Sequence, residues 1–240
     1  MRMDLSRRSD LPEVMNDAST PPEVFARCLT DLAAVNRLTL THRPTRRFLA
    51  RATRDWPRGS PLYVLDVAYG DGDLLRAVHR WATRAGLVPV LAGVDLDPRS
   101  AGIAAAATPP DMTIEWRTGD VFDHVPIPAP DFIVSSQFTH HLTDKQVVAF
   151  IRWMDVHARL GWLIADVHRH VIPYYGFRLL ARIMGWHRII REDGTISVAR
   201  AFRIPEWRAL LAKAGVPVGG KKGASIRWHV PFRLCVARLR

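Results

Sequence analysis

A doubly wound, mostly parallel α/β sheet is the fold this sequence predicts, on three observations. From Leu62 onward, short apolar runs alternate with stretches of helical periodicity. The first run leads into an acidic residue and a glycine-rich turn that opens a helix, over residues 66–75. The next two runs are also followed by acidic residues, Asp95 and Asp120. Strands that alternate with helices make βαβ units, which impose a parallel sheet and right-handed crossovers.

Taken in order, residues 1–58 read as a helical cap, distinct from the domain expected over 59–240. Thr20-Pro21-Pro22-Glu23 reads as a capping box with prolines in the first turn, where a missing N–H costs nothing. Val24, Phe25, Cys28, Leu29, Leu32 and Val35 then recur at helical spacing. A basic helix is expected over 45–53, and residues 56–61 form a Pro/Gly linker. Strands are expected at 62–68, 88–94, 112–116, 132–135 and 162–165, with helices at 72–85, 98–107 and 143–158 between them. Thr143 and Gln146 make a second capping box. An apolar helix over 173–186 sits in a lid-like insert near 171–200. A helix over 205–214 and strands at 224–230 and 232–239 close the chain.

Composition narrows the class. At 48% hydrophobic and 24% charged residues the chain is an ordinary globular protein. No apolar run reaches the ~20 residues a membrane span needs, and the N-terminus lacks the apolar core of a signal peptide. Cys28 and Cys235 have no metal or redox spacing, which suits a reducing, cytoplasmic compartment. The net charge of +11 points toward nucleic acid or anionic lipid. Against that, lysine occurs only at 145, 213, 221 and 222, and the arginines are dispersed rather than gathered in a stripe. A nucleic-acid partner is therefore disfavoured.

The segment Val64-Leu65-Asp66-Val67-Ala68-Tyr69-Gly70-Asp71-Gly72-Asp73-Leu74-Leu75 carries the chemistry. Glycines let a ligand lie against the backbone, and the helix that follows offers free N–H groups. Ligands of open parallel sheets sit at the carboxyl ends of the strands, where this turn lies. Leu75 replaces the third glycine of a dinucleotide fingerprint, and there is no phosphate-loop lysine. Asp66 repels a pyrophosphate. S-adenosylmethionine (SAM) fits instead, because its ammonium and sulfonium are cationic and it has no phosphate. Asp95 is placed to accept from ribose hydroxyls, and Asp120 from the adenine amine.

With these residues in view, positions 62–166 resemble the core of the class I SAM-dependent methyltransferases, and within them the ubiquinone/menaquinone-biosynthesis-like small-molecule enzymes. Their D-x-G-x-G-x-G motif is matched by Asp66, Gly70 and Gly72. Ala68 stands at the first glycine, as it does in quinone-pathway relatives. Phe138-Thr139-His140-His141-Leu142 resembles the F/L-x-H-H-L segment after their fourth strand. The resemblance implies a Rossmann-like, seven-stranded sheet with an antiparallel last strand, and SAM as cofactor. It implies a cofactor site at Asp66, Ala68, Gly70, Gly72, Asp95, Leu96, Asp120, Val121 and Ser136.

Methyl transfer needs alignment and exclusion of water, and a general base only for a protonated acceptor such as a phenol, whose pKa is near ~10. His140, His141 and His168, at the ends of the fourth and fifth strands, are the catalytic candidates. The D/N-P-P-Y/F segment of nucleic-acid amine methylases is missing; Ser135-Ser136-Gln137-Phe138 stands there. His168-Arg169-His170 is an HxH pair without a third ligand at metal spacing, so no metal is expected. The insert, rich in Tyr174, Tyr175, Phe177 and Trp186, fits core packing, a lid over an apolar acceptor, or contact with a membrane surface. Together these readings favour transfer to O or C of a small aromatic, polyketide-like or quinone-like metabolite. The alternatives are an RNA- or protein-modifying methyltransferase and a non-catalytic SAM-binding protein.

Overall fold

The computed structural model describes residues 4–17 and 19–240. Seven strands form one sheet in the order β3-β2-β1-β4-β5-β7-β6. β1 (Pro61–Val67), β2 (Val88–Asp95), β3 (Ile114–Thr118), β4 (Phe132–Ser136) and β5 (Gly161–Val167) pair in parallel. β7 (Arg233–Leu239) runs antiparallel to β5 and to β6 (Ser225–His229). Both the doubly wound topology and the antiparallel closing strand match the sequence expectation.

Alternation builds the two faces. Leu65, Val67, Ile133 and Ile164 point into one core, covered by α5 (Asp144–His157) and α8 (Ile204–Ala214). Leu62, Val64, Phe132 and Val134 point into the other, covered by α3 (Asp73–Arg84). Every residue of β5 is buried, as expected of a parallel strand with helices on both faces. The Thr143–Gln146 capping box at the start of α5 is formed in full.

The N-terminal region divides into two roles. α1 (Pro22–Leu38) lies over the carboxyl ends of the strands, while α2 (Arg43–Ala52) places Phe48 and Leu49 beneath the sheet with Leu62 and Phe132. The Thr20 capping box does not form. Pro21 is the cap residue, and the Thr20 hydroxyl instead donates to Val14 O at 2.9 Å, tying α1 to the short turn before it. The remaining helices of the parallel core and insert are α4 (Pro98–Ala106), α6 (Val171–Ile183) and α7 (Arg188–Arg200). α6 packs against α1 and α7 through Phe177, Leu180 and Ala181. Its outer face leaves Val171, Tyr175, Leu179 and Ile183 exposed. Among the described residues, no helix is long and apolar enough to cross a membrane.

Candidate active site

The strand register sets one edge of the site. Val67 pairs with Val94 and Ser135, and Asp95 with Thr118, so the loops after β1 to β4 emerge side by side. The first of these turns is left-handed three times, at Ala68 (φ 62°), Gly70 (φ 58°) and Gly72 (φ 77°). Gly72 is also the N-cap of α3, and a Cβ there would run into the Trp116 ring. Trp116 in turn packs on Tyr69, ring centroids 4.8 Å apart, so the back of the turn is closed by aromatic contact. Gly72→Ala is expected to lose about 1–2 kcal/mol from the left-handed backbone alone, which lowers Tm by roughly 2–8 °C. An unchanged melting curve would show that the turn tolerates a side chain.

Carboxylates converge on the open side of this turn. Asp66 is 1% exposed, and its Oδ1 has no partner among the described residues. Burial, then the neighbouring charges of Asp73 and Asp95, push its carboxyl well above the usual carboxylate range. Burial also raises Asp95, whose Oδ2 accepts from Gly70 N–H and Oδ1 from Asp97 N–H, both at 2.9 Å. Asp73 accepts from Asn36 Nδ2 and contacts His42 Nε2, each at 3.0 Å, and Asn36 Oδ1 takes a hydrogen bond from Gln137 Nε2 at 2.7 Å. Three acids around one void, one of them with an orphaned oxygen, make an environment that a cation relieves.

These loops open into a cavity of about 1240 Å³. Asp66, Ala68, Gly70, Asp95, Leu96, Asp120, Val121 and Ser136 all line it, so eight of the nine expected cofactor residues share one wall. Gly72 lies behind that wall, under Trp116. The Ser136 hydroxyl, buried, has no partner among the described residues. Asp120 Oδ1 accepts from Phe122 N–H at 2.9 Å, which curls the loop after β3 toward the void.

The opposite side of the cavity is apolar and comes from outside the βα core. Phe25, Leu29, Leu32 and Val35 of α1 face it, with Phe177 and Leu180 of α6 and Ile190 of α7. Of the insert's aromatics, Phe177 lines the void, together with Phe25 of α1. Tyr174 and Trp186 are buried in the helical packing, and Tyr175 faces outward.

The histidines separate. His140 and His141, in a short turn after β4, line the cavity, their ring centroids 4.1 Å apart. His140 Nδ1 lies 2.7 Å from Asp166 Oδ1, and its Nε2 lies 3.4 Å from Glu13 Oε1. The two carboxylates outweigh burial and raise His140 to about 9, while Asp166 and Glu13 are each lowered to about 2, against the opposing effect of burial, by hydrogen bonds and charge from His140. Burial and the neighbouring His140 push His141 down to about 4. The third candidate, His168, is not part of the cavity wall. Its backbone N–H is bound to Phe232 O at 3.1 Å, and its ring lies beside that of His170, centroids 5.8 Å apart; Val167, one residue earlier, lines the void, and the strand alternation turns the next side chain to the other face.

No protein-family model and no curated protein matches the chain. Solved structures do match in three dimensions. Magnesium protoporphyrin IX methyltransferase from Synechocystis, with bound SAH, superposes with a TM-score of 0.54 at 17% identity, over 84% of both chains. The plantazolicin methyltransferase BpumL, in complex with SAH, gives 0.66 at 11% identity over 92% of both. Human N-acetylserotonin methyltransferase, in complex with SAM, gives 0.60 at 12% identity, over 92% of this chain and 56% of that one. The fold is that of the methyltransferases. Within it, the residues that motif spacing missed are Glu13, Asn36, His42 and Asp73. All four line the cavity, yet none except Asp73 lies near a recognisable sequence signal.

Proposed function

We propose that the chain is a SAM-dependent methyltransferase acting on O or C of a small lipophilic acceptor, aromatic, polyketide-like or quinone-like. The observation that carries this reading is the continuity of one cavity from an acidic, glycine-lined edge to an apolar roof. Its volume of about 1240 Å³ exceeds the 300–1,000 Å³ typical of a single-ligand pocket and leaves room for two. The methyltransferase neighbours, crystallised with SAM or SAH, support the same reading.

Bound SAM would supply an electrophilic methyl on a sulfonium. Asp66 then offers its orphaned oxygen to the ammonium, Asp95 holds the ribose hydroxyls, and Asp120 accepts from the adenine amine. Leu96 and Val121 flank the base, and Ser136 with Gly70 fixes the remainder. Phe25, Leu29, Phe177 and Leu180 hold a flat, apolar acceptor and exclude water, which strengthens the electrostatics of the site. His140 and His141 supply the polar end that meets the acceptor. A roof of this kind fits a small apolar molecule better than an RNA strand, which calls for an open basic groove.

Calorimetry on the folded chain is expected to show SAM and SAH binding at low micromolar Kd or tighter. Absence of heat with both compounds would remove the central claim. Transfer of labelled methyl from SAM to a panel of phenols, hydroxyquinones and other aromatic hydroxyl compounds then separates a catalyst from a mere SAM binder.

A further inference from the structure

We propose that Glu13, His140 and His141 hold a divalent transition-metal ion at the acceptor end of the cavity, with an oxygen of the acceptor as a further ligand. The ion site stands on its own geometry; the identity of the further ligand rests on the methyltransferase reading.

Each of the three residues offers one ligand atom, and these atoms lie within 4.8 Å of one another. His140 Nε2 is 3.4 Å from Glu13 Oε1, and His141 Nε2 is 3.8 Å from Glu13 Oε2. A tetrahedral ion with bonds of roughly 2.0–2.1 Å spaces its ligand atoms about 3.3–3.4 Å apart. The two His–Glu spacings are close to this value, and the remaining ones, at most 4.8 Å, contract when an ion is bound. A proton shared between His140 and Glu13 fits the spacing less well, since a charge-assisted N–H···O bond spans about 2.7–2.9 Å. The other face of the same ring shows the contrast, because Nδ1 meets Asp166 at 2.7 Å.

That second contact is the support a metal-bound histidine needs. A carboxylate accepting from Nδ1–H fixes the tautomer that presents the Nε2 lone pair once an ion displaces the second proton to solvent, and raises its basicity. Asp166 is itself anchored by the Thr139 hydroxyl at 2.6 Å, His140 N–H at 3.0 Å and Val167 N–H at 2.7 Å. Glu13 Oε1 accepts from the Ser197 hydroxyl at 2.8 Å. Arg8 and Arg200 donate to the backbone carbonyls of His140, His141 and Leu142, so their cationic heads brace the turn that carries both histidines.

Two imidazoles and one carboxylate form a ligand set that leaves an open position, the pattern of catalytic rather than structural ions. All three residues line the cavity, so the open position faces the acceptor side. An ion there selects acceptors carrying a phenolic or enolic hydroxyl. Coordination lowers the proton affinity of that oxygen, and the proton passes to solvent with no change of oxidation state.

Zinc is the probe. Tag-free protein, stripped with EDTA and dialysed, is titrated with Zn²⁺ by calorimetry, and metal content is measured by mass spectrometry. The expected result is about one Zn²⁺ per chain. His141→Ala and Glu13→Gln are each expected to weaken binding by more than about a hundredfold, and Asp166→Asn by about 10–100-fold. Circular dichroism and SAH titration report the folding of each variant. Should Glu13→Gln fail to fold, His141→Ala, whose side chain is 28% exposed, remains a valid test. No zinc uptake by the parent protein, or equal uptake by His141→Ala, overturns the proposal whether or not SAH binds. Zinc uptake without SAH binding upholds the ion site and removes the methyltransferase reading.

Discussion

Asp166→Ala is expected to cost the folded state about 3–5 kcal/mol, the range for breaking a buried ion pair. The carboxylate is 1% exposed at the end of β5 and accepts from the Thr139 hydroxyl, His140 N–H and Val167 N–H, with His140 Nδ1 at 2.7 Å. It is also the strongest charge that opposes the effect of burial on Arg233, which is lowered to about 10 and has hydroxyl partners in Thr39 and Thr41. Alanine leaves two buried bases facing a void and frees the turn that carries His140. Asparagine keeps the shape and part of the hydrogen bonding, so its loss should be smaller. Chemical denaturation measures both, and the alanine variant should melt roughly 6–20 °C lower. A loss below about 1 kcal/mol would mean that the network is wet and replaceable.

The sheet was legible because its physics is local. Buried parallel strands read as apolar runs, and the Asp66–Gly70–Gly72 turn is set by positive φ that only glycine adopts freely, with Ala68 as the exception. α7 was not legible. Its sequence, RIIREDGTISVAR, mixes β-branched residues with a mid-helix glycine, both poor helix formers. Packing explains the glycine, since a Cβ at Gly194 would collide with the Phe177 ring. The periodicity of residues 173–186 showed α6 but not the partner that shapes it.

The site divides in the same way. The proposed cofactor residues follow strand ends, so alternation places them along one cavity wall. Glu13 reaches the histidines from a segment before α1, held by Thr20 O–H to Val14 O and by Val14 and Met15 N–H to the Asp193 carboxylate. No short-range spacing encodes a contact made by three such distant pieces of chain. His168 illustrates the converse. It lies near a strand end in sequence, yet Val167 takes the position that faces the cavity, so the alternating side chain of the next residue is turned out of it.

Asp95→Ala is expected to weaken SAH binding by roughly ten- to a hundredfold, about 1.5–3 kcal/mol. Two effects add. In the proposed binding mode the carboxylate offers its remaining lone pairs to the ribose hydroxyls, and a charged acceptor is worth more than a neutral one. It also fastens the glycine turn, because Oδ2 accepts from Gly70 N–H at 2.9 Å while Oδ1 accepts from Asp97 N–H at the same distance. Alanine therefore removes a ligand contact and loosens the loop that shapes the pocket. Stability should change less than affinity. Asp95 lies beside Asp97 and contributes to the raised pKa of Asp66, so its removal relieves repulsion as well as breaking hydrogen bonds. Asparagine separates the two effects: it retains an acceptor for Gly70 N–H but loses the charge. Its SAH affinity should fall between those of the parent protein and alanine in calorimetry. If Asp95→Ala binds SAH as tightly as the parent, the ribose lies elsewhere and the cofactor assignment along β2 is wrong.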